Sequence, residues 1–254
     1  SQLKNLSDEL GVKVLDRILL IIDIFACNAV SNEGKIEVKL AQNKYLLTRL
    51  ASMQGSQGRF GGAGVGMRGP GETKLELDRR KLEAEILTLK KEIEKIKNAR
   101  AVNRNARIKA GVKNVVIGGY TNAGKSSLFN LLTRDNIYVQ DKLFATLETT
   151  SRRMFLGENE YCILTDTVGF ISKLPHELVE SFASTLEEIK DADLILHVVD
   201  VSDPNYKRNI DITNEILDDI GATKKRIVVL NKVDLVKKPF EIHENEILFS
   251  VKKK

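Results

Sequence analysis

The residues with the clearest chemical potential form a glycine-bracketed loop near the middle of the 254-residue chain. Two glycines separated by four residues precede a lysine and a serine in the stretch Gly119-Tyr120-Thr121-Asn122-Ala123-Gly124-Lys125-Ser126. This spacing lets backbone amides point at phosphate oxygens, while the lysine reaches the β- and γ-phosphates and the serine hydroxyl binds Mg²⁺. The stretch therefore predicts a nucleotide-phosphate site; the alternative is an ordinary glycine-rich turn before a helix.

The flanking residues give this loop the setting that a phosphate site needs. An apolar run at residues 115–117 predicts a buried strand before the loop, and residues 127–132 have helical apolar spacing after it. A helix that begins at the loop contributes the partial positive charge of its N-terminus, which favours a bound phosphate. The phosphate site is therefore preferred to the plain turn.

Two shorter motifs further along the chain predict which nucleotide binds. Asp166-Thr167-Val168-Gly169 lies at the end of a predicted strand, where the carboxylate can hold a Mg²⁺-bound water and the glycine amide can meet the γ-phosphate. In Asn231-Lys232-Val233-Asp234, the Asp234 carboxylate can accept two hydrogen bonds from N1 and N2 of guanine, a pattern that adenine does not offer. Asn231 and the Lys232 stem would brace the loop and cover the base. The three motifs, in this order, predict a guanine-nucleotide GTPase.

The charge distribution divides the chain into two unlike halves. Residues 1–110 carry 21 basic and 13 acidic side chains, whereas residues 111–254 carry 19 and 22. Nucleic acid is the leading candidate for the partner of a basic half; a solvated, lysine-rich helix surface explains the same charge equally well. The length allows two domains, each with its own hydrophobic core.

Cysteine usage and hydropathy bear on the cellular compartment. Cys27 and Cys162 are far apart and show neither metal-ligand spacing nor a disulfide framework, so a reduced, cytoplasmic protein is expected. The longest apolar run, residues 18–30, is too short to cross a bilayer and contains Asp23, so no membrane partner is expected. No signal peptide is visible, although the first residue is serine and an earlier segment can be missing.

The first half of the chain predicts a small α/β fragment followed by two long helices. The fragment has a helix over residues 2–10, a strand over 12–15 and a helix over 17–29. The long helices cover 33–53 and 73–108, with Thr73 and Glu76 as a capping box at the start of the second. Apolar residues recur at heptad a and d positions: Ile36, Leu40, Leu47, Leu50, Leu75, Leu82, Ile86, Leu89, Ile93 and Ile96. Short, adjacent stripes favour an antiparallel coiled-coil hairpin over a single helix or a dimer.

The connection between these helices, residues 54–72, contains eight glycines. A plain hairpin tip is one interpretation. The other is an RNA contact, in which Arg59 and Arg68 bind phosphates and Phe60 stacks on a base. Residues 98–113 add five basic side chains and no acid, and link the hairpin to the second domain.

The second half predicts a mainly parallel sheet covered by helices on both faces, because strand and helix patterns alternate. After the first strand, strands are expected at 152–156, 161–165, 194–199, 226–230 and 246–249, with residues 157–159 as a hairpin turn. Helices are expected near 175–190 and 206–220. His197, within an apolar strand, is expected to be a core residue, and no closing helix follows the last strand.

Longer strings around these motifs resemble the HflX family of translation-factor-class GTPases over nearly the whole chain. They are Asn5-Leu6-Ser7-Asp8, Val14-Leu15-Asp16-Arg17, Asp23-Ile24-Phe25-Ala26, Arg68-Gly69-Pro70-Gly71-Glu72-Thr73, Leu143-Phe144-Ala145-Thr146-Leu147 and Asp166-Thr167-Val168-Gly169-Phe170. The Arg-Gly-Pro-Gly-Glu string beside a G domain is the most specific. The resemblance implies a Ras-like P-loop GTPase domain at residues 111–254, preceded at 1–110 by an α/β fragment with an antiparallel coiled-coil helical hairpin.

The same resemblance implies a partner and a role. Family members bind the large ribosomal subunit, with the hairpin loop reaching toward the peptidyl-transferase region, and bacterial members split ribosomes. A monomeric enzyme that hydrolyses GTP with Mg²⁺ and contacts rRNA through Arg59, Phe60 and Arg68 is thus expected. Two alternatives remain: a GTPase of ribosome assembly or RNA maturation, like Era-like or TrmE-like proteins, and a scaffold that keeps nucleotide only as a structural ligand.

Family matching also implies roles for individual residues. The first switch falls at residues 144–148, with Thr146 as the second Mg²⁺ ligand beside Ser126 and, through water, Asp166. The expected catalytic residues are Lys125, Thr146 and Gly169. Phe170 replaces the glutamine that orients water in Ras-type enzymes, so slow intrinsic hydrolysis, stimulated by the large subunit, is expected. Asn122 matches an asparagine that coordinates K⁺ in related GTPases. Besides the eight residues of the phosphate loop, the expected nucleotide contacts are Ser127, Phe144, Thr146, Asp166, Gly169, Asn231, Lys232, Asp234, Ser250 and Val251.

The sequence departs from the family pattern near its two ends. The base-closing loop at residues 250–252 has Val251 where alanine is usual, and the chain stops within three residues of it. The opening N-terminal segment of the family is also absent. A fragment with reduced nucleotide affinity is therefore expected.

Overall fold

The computed structural model of the chain describes residues 2–57, 70–134, 149–157, 160–171, 178, 181–236 and 242–252. Predictions that concern Arg59, Phe60, Arg68 and the first switch at residues 144–148 lie outside these residues. The chain divides into two compact units, one formed by Ser1–Asn98 with Pro175–Ser181 and the other by Ala99–Leu174 with Phe182–Lys254.

The first unit begins with two short helices, α1 (Gln2–Leu10) and α2 (Arg17–Asn28), as predicted. Asp16 caps α2, because its carboxylate accepts a hydrogen bond from the Leu19 amide at 2.8 Å. The predicted strand at residues 12–15 is wrong, since this stretch connects the two helices without regular structure. A strand needs a neighbouring strand for its backbone groups, and the described part of this unit contains no strand with which residues 12–15 could pair. The Val12 carbonyl instead accepts a hydrogen bond from the Ser7 hydroxyl at 2.7 Å.

Two long helices follow, α3 (Asn32–Gln57) and α4 (Pro70–Lys109), and the pairing predicted from the heptads is confirmed. Their shared core contains Ile36, Leu40, Ile86, Leu89, Ile93 and Ile96. Lys39 and Glu85 add an ion pair of 3.7 Å between the helices. The capping box is wrong, because α4 begins at Pro70, before Thr73. Proline suits the first turn of a helix, where its fixed φ is helical and no amide hydrogen bond is lost.

The last part of α4 belongs to the second unit and is bound there by ion pairs. Arg104 pairs with Asp191 and Arg100 lies 4.0 Å from Glu188. Lys113, just after the helix, lies 3.5 Å from Asp193. Partly exposed pairs of this kind contribute roughly 0–1 kcal/mol each. These basic residues, predicted as a link between domains, are therefore neutralised by carboxylates of their own unit.

The second unit is built on a six-stranded sheet in the order β2-β3-β1-β4-β5-β6. Its strands are β1 (Asn114–Gly119), β2 (Thr150–Gly157), β3 (Glu160–Asp166), β4 (Leu194–Asp200), β5 (Arg226–Asn231) and β6 (Glu246–Leu248). Only the β2–β3 pair, among the described strands, is antiparallel. This confirms the predicted α/β class. Strand order reverses at β1, which lies between β3 and β4, and ligands of such sheets bind at the carboxyl ends of the strands beside such a reversal.

Helices α5 (Lys125–Thr133), α6 (Ala183–Lys190) and α7 (Tyr206–Asp219) accompany this sheet. Phe129 and Leu128 of α5 pack on one face of the sheet in a core that includes Ile117, Leu164 and Val198. Burial of each such side chain stabilises the fold by about 1.5–3 kcal/mol, so α5 is fixed firmly behind the loop that precedes it. None of the described helices is long and apolar enough to cross a membrane.

Candidate nucleotide-binding site

The loop between β1 and α5 has a backbone that only glycine allows at two positions. Gly119 and Gly124 have φ angles of 144° and 95°, in the region that other residues rarely adopt. A Cβ atom on Gly119 would also overlap the Val198 carbonyl oxygen, and one on Gly124 would overlap the Asn231 side-chain amide. The two glycines of the motif are therefore required by conformation and by the close approach of neighbouring strands.

Lys125 lies beneath this loop rather than in solvent. Its side chain is buried, and Nζ donates a hydrogen bond to the Tyr120 carbonyl at 2.9 Å. Burial lowers the pKa of Lys125 to about 8, and the nearby Asp166 carboxylate opposes that shift. A phosphate near Nζ would supply the anionic partner that a buried ammonium needs.

Ser126 and Asp166 meet at the start of α5 and the end of β3. The Ser126 hydroxyl donates a hydrogen bond of 2.6 Å to Asp166 Oδ2. Asp166 is buried and pairs in register with Ile117 of β1, so the sheet itself places its carboxylate beside the loop. A hydroxyl and a carboxylate are the oxygen ligands that Mg²⁺ prefers, and this pair fits the predicted metal position. Thr146, the third predicted ligand, lies outside the described residues.

The segment after Asp166 is hydrogen-bonded to the phosphate loop. The Phe170 amide donates to the Gly119 carbonyl at 3.0 Å, and the Thr121 amide donates to the Phe170 carbonyl at 2.8 Å. A Cβ on Gly169 would stand 2.7 Å from Thr121 Cα and 2.9 Å from Lys125 Nζ, so this glycine lies directly against the lysine. The Phe170 side chain is buried.

The guanine motif is joined to the phosphate loop by two side chains. Asn231 Nδ2 donates to the Ala123 carbonyl at 2.9 Å. Lys232, whose φ is 65°, donates from Nζ to the Asn122 carbonyl at 3.1 Å and to Asp200 Oδ2 at 2.5 Å. These bonds hold the segment that would read the base in a fixed position relative to the loop that would bind the phosphates.

Asp234 is oriented by the end of the described chain. The Ser250 hydroxyl donates to Asp234 Oδ1 at 2.6 Å, and Ser250 is buried. The Phe249 amide, next to it, donates to the Leu230 carbonyl at 2.9 Å and so extends the pairing of β6 with β5. Val251 follows as a half-buried residue. The structure thus brings the two predicted base-reading elements, Asp234 and Ser250, into direct contact.

Sequence reasoning missed Asp200, which holds the Lys232 side chain of the site in place. Its Oδ2 accepts from Lys232, and its Oδ1 accepts from the Ser202 amide and hydroxyl at 3.0 and 2.5 Å. The available signal was its position at the carboxyl end of a buried strand. His197 is buried on the same strand, as predicted; burial, with Arg226 and Lys125 nearby, lowers its pKa to about 4. The described residues contain no cluster of three histidine, cysteine or acidic side chains suited to a metal.

Comparisons with known proteins agree with this arrangement. Three family profiles match in chain order: "GTP-binding GTPase N-terminal" at residues 1–26, "GTP-binding GTPase Middle Region" at 28–107, and "50S ribosome-binding GTPase" at 114–232. A curated relative from Caldanaerobacter subterraneus subsp. tengcongensis, named GTPase HflX, is 50% identical over 255 residues, which are 100% of this chain and 59% of that protein. The GTPase HflX of Escherichia coli is 44% identical over 93% of this chain and 55% of its own length. The chain thus spans between about half and three-fifths of the length of these two relatives.

Solved structures show the same fold over almost the whole chain. A GTP-binding protein from the hyperthermophilic archaeon Sulfolobus solfataricus, in complex with GDP, is 29% identical with a TM-score of 0.53, and the match covers 98% of this chain and 71% of that one. A structure described as the SsGBP and GDP complex gives 29% identity and a TM-score of 0.54, over 98% and 72% of the two chains. Because family profiles match residues 1–26, 28–107 and 114–232 and the two relatives named GTPase HflX are 50% and 44% identical, the chain belongs to the HflX family of GTPases.

Proposed function

We propose that this chain binds GTP with Mg²⁺ and hydrolyses it to GDP and phosphate. One observation carries the proposal: the side chains of Asn231 and Lys232 both donate to carbonyls of the phosphate loop. These bonds join the proposed phosphate and guanine sites, a link that an ordinary glycine-rich turn does not require. Membership of a GTPase family supports the same conclusion.

In this proposal each part of the site has one task. Lys125 and the amides of residues 119–127 bind the phosphates, and the Gly169 amide meets the γ-phosphate. Ser126 and Thr146 bind Mg²⁺ directly and Asp166 through water; the bound ion neutralises charge on the β- and γ-phosphate oxygens. Asp234, held by Ser250, accepts the two guanine N–H groups, while Lys232 and Val251 cover the base. Phe144 lies beside the nucleotide as part of the first switch.

Hydrolysis by the chain alone should be slow. A phenyl ring has no hydrogen bond to offer an attacking water, and Phe170 is moreover buried. For scale, unassisted Ras turns over at ~10⁻⁴ s⁻¹ and a supplied group can add ~10⁵-fold. We therefore propose that the large subunit stimulates hydrolysis, and that K⁺ bound through Asn122 assists. Equal rates with and without subunits would contradict the first point, and equal rates in KCl and NaCl the second.

The proposed partner is the large ribosomal subunit, bound in the GTP state by a monomer in the cytoplasm. The family description "50S ribosome-binding GTPase" supports this partner, as does the net positive charge of residues 1–110. Arg59, Phe60 and Arg68 are proposed to contact rRNA, through phosphate pairing and stacking.

The decisive experiment is co-sedimentation with mature large subunits, in a non-hydrolysable GTP analogue and in GDP. Binding that depends on the analogue is expected. Binding only to immature particles would favour an assembly factor, and binding indifferent to nucleotide would favour a scaffold. Lys125→Ala should abolish hydrolysis. Arg59→Ala with Arg68→Ala should weaken sedimentation and leave nucleotide affinity intact, because these residues are far in sequence from the nucleotide motifs.

Guanine selectivity has its own test. Asp234→Asn replaces one acceptor oxygen by an N–H donor, which matches the O2 carbonyl of xanthine instead of the N2 amine of guanine. This variant should lose GTP and gain xanthosine triphosphate, as measured by calorimetry. A wild-type chain that prefers adenosine nucleotides would overturn the proposed function.

A further inference from the structure

We propose that one face of the β2–β3 hairpin binds single-stranded RNA, with Phe155 and Tyr161 stacking on bases and Arg153 binding a phosphate. This surface lies in the second unit, apart in sequence from the proposed RNA contacts at residues 59–68. The inference deepens the proposed function and rests on it for the RNA partner, a ribosomal subunit. RNA binding by this face can be measured without the subunit.

The register of the hairpin places these three side chains on one face. Phe155 lies opposite Tyr161, and Arg153 lies opposite Ile163. Alternate residues of a strand point to opposite faces, so Arg153, Phe155, Tyr161 and Ile163 share a side. On the other side, Met154 packs against the core that includes buried Cys162, so that side is committed to the fold.

Phe155 of this aromatic pair is presented to solvent, and Tyr161 beside it is half-buried. Phe155 is 76% exposed, although burial of such a ring would stabilise the protein. Its ring centroid lies 6.5 Å from that of Tyr161 at an interplanar angle of 54°. The Arg153 guanidinium carbon lies 5.0 Å from the Tyr161 centroid. An exposed ring, with a second ring and a guanidinium beside it, offers the elements with which proteins stack unpaired bases.

Charge on this face suits a phosphate backbone. Among the described hairpin residues on the Phe155 side, Arg153 is charged and none is acidic. The acidic residue Glu160 alternates with Tyr161 and so points to the opposite side. Arg152, next in sequence, is exposed on that opposite side and adds positive charge to the hairpin without belonging to the aromatic face.

A peptide that adds to the sheet is the competing occupant, because β2 is an edge strand. Two features disfavour it. The strand register shifts between Phe155 and Gly157, which interrupts a regular ladder. The adjacent arginines are also the kind of charge with which edge strands resist pairing. We therefore assign the surface to RNA.

The test measures binding of a fluorescent single-stranded RNA of about ten nucleotides by anisotropy. The full chain is used with Arg59→Ala and Arg68→Ala already in place, so that the other proposed RNA contact is removed. In that background Phe155→Ala should weaken binding by about 5- to 100-fold, as expected for the loss of one stacked base. Arg153→Ala should also weaken it. Arg152→Ala removes the same charge from the opposite face and should change affinity less than about twofold.

The outcomes distinguish this RNA surface from a general charge effect and from the proposed ribosomal partner. Equal losses for Arg152→Ala and Arg153→Ala would reduce the effect to general charge and overturn the proposal. So would RNA binding that is absent, or unchanged by Phe155→Ala, while thermal unfolding shows a folded protein. A chain that fails to sediment with the large subunit, yet binds this RNA through Phe155, would refute the ribosomal partner and keep the RNA surface.

Discussion

The Asn231 side-chain amide donates a hydrogen bond of 2.9 Å to the Ala123 carbonyl, and it occupies the space where a Cβ of residue 124 would stand. Residues separated by more than a hundred positions in sequence are thereby held in van der Waals and hydrogen-bond contact. The geometry of the phosphate loop and that of the loop proposed to read the base are consequently coupled, so a change in one should alter the other.

Gly124→Ala is predicted to abolish nucleotide binding, with at least a ~100-fold loss of affinity. The new methyl group would strain a φ of 95° and displace the Asn231 amide. Gly111→Ala is the matched control, since its φ is 71° but no atom lies within 4 Å of the added carbon. The control should cost about 1–2 kcal/mol of stability and leave affinity unchanged. Titration with a fluorescent GTP analogue, beside thermal unfolding, measures both. Equal affinity losses in the two variants would show that backbone strain, and not displacement of the Asn231 amide, is responsible.

Ser126→Ala is predicted to remove most of the benefit that Mg²⁺ gives to GTP binding. The hydroxyl lies 2.6 Å from Asp166 Oδ2, and both groups are proposed to serve the ion. Loss of one interaction with a charged group corresponds to roughly 1.5–3 kcal/mol, or about 10- to 100-fold in affinity. Calorimetry with Mg²⁺ and with EDTA compares the wild-type and variant chains. A variant that retains the full Mg²⁺ effect would contradict the assigned metal role.

Ser250→Ala is predicted to weaken selection for guanine without unfolding the domain. Its hydroxyl donates to Asp234 Oδ1 at 2.6 Å, and without that bond the carboxylate can rotate away from the base. A loss of about 5- to 10-fold in GTP affinity is expected, from a hydrogen bond worth about 1–1.5 kcal/mol. The neighbouring Val251→Ala, which introduces the residue usual in the family, should equal or exceed wild-type affinity. If Val251→Ala is the more damaging change, the assignment of Ser250 is wrong.

Acid should destabilise the second unit through His197. The folded-state pKa, about 4, lies below the ordinary value of 6.5, because the ring is buried and Arg226 and Lys125 lie nearby. The unfolded chain therefore binds the proton more readily. The contribution of His197 to the free energy of unfolding is therefore complete above pH 6.5. It is lost as pH falls toward 4, which lowers the free energy of unfolding by about 3 kcal/mol.

Urea unfolding at pH 4.5 and pH 7 checks this expectation. His197→Gln cannot take up the proton, so its stability should vary less between the two conditions than that of the wild type. His243→Gln, at an exposed position, should preserve the wild-type pH dependence. Identical pH dependence in wild type and His197→Gln would assign the acid sensitivity to other groups.

The elements of the second unit were predictable because local signals determine them. An apolar run, the glycine spacing and helical apolar spacing placed β1, the phosphate loop and α5 near their observed bounds. The heptad stripe likewise anticipated that Ile36 and Leu40 share a core with Ile93. Each signal repeats within one segment, so no knowledge of distant residues was required.

The errors and omissions concern residues whose state depends on distant neighbours. Residues 12–15 have strand-like composition but no strand in the described first unit to pair with. Arg104 belongs to a basic run in sequence, yet Asp191 neutralises it in space. Asp200 lies in no sequence motif. It matters to the site because it accepts a hydrogen bond from Lys232, which the parallel pairing of β4 and β5 brings alongside. Such relationships arise from topology rather than from sequence spacing.

The Thr121 amide of the phosphate loop donates a hydrogen bond to the Phe170 carbonyl, so this amide is already engaged before any phosphate binds. If a bound phosphate takes that amide, as proposed for the amides of residues 119–127, this hydrogen bond must first break, and the apparent affinity is reduced to the fraction of molecules in which it is already broken. Nucleotide affinity would then depend on how readily this backbone hydrogen bond opens, and a substitution near Phe170 could change the fraction of open molecules without contacting the ligand.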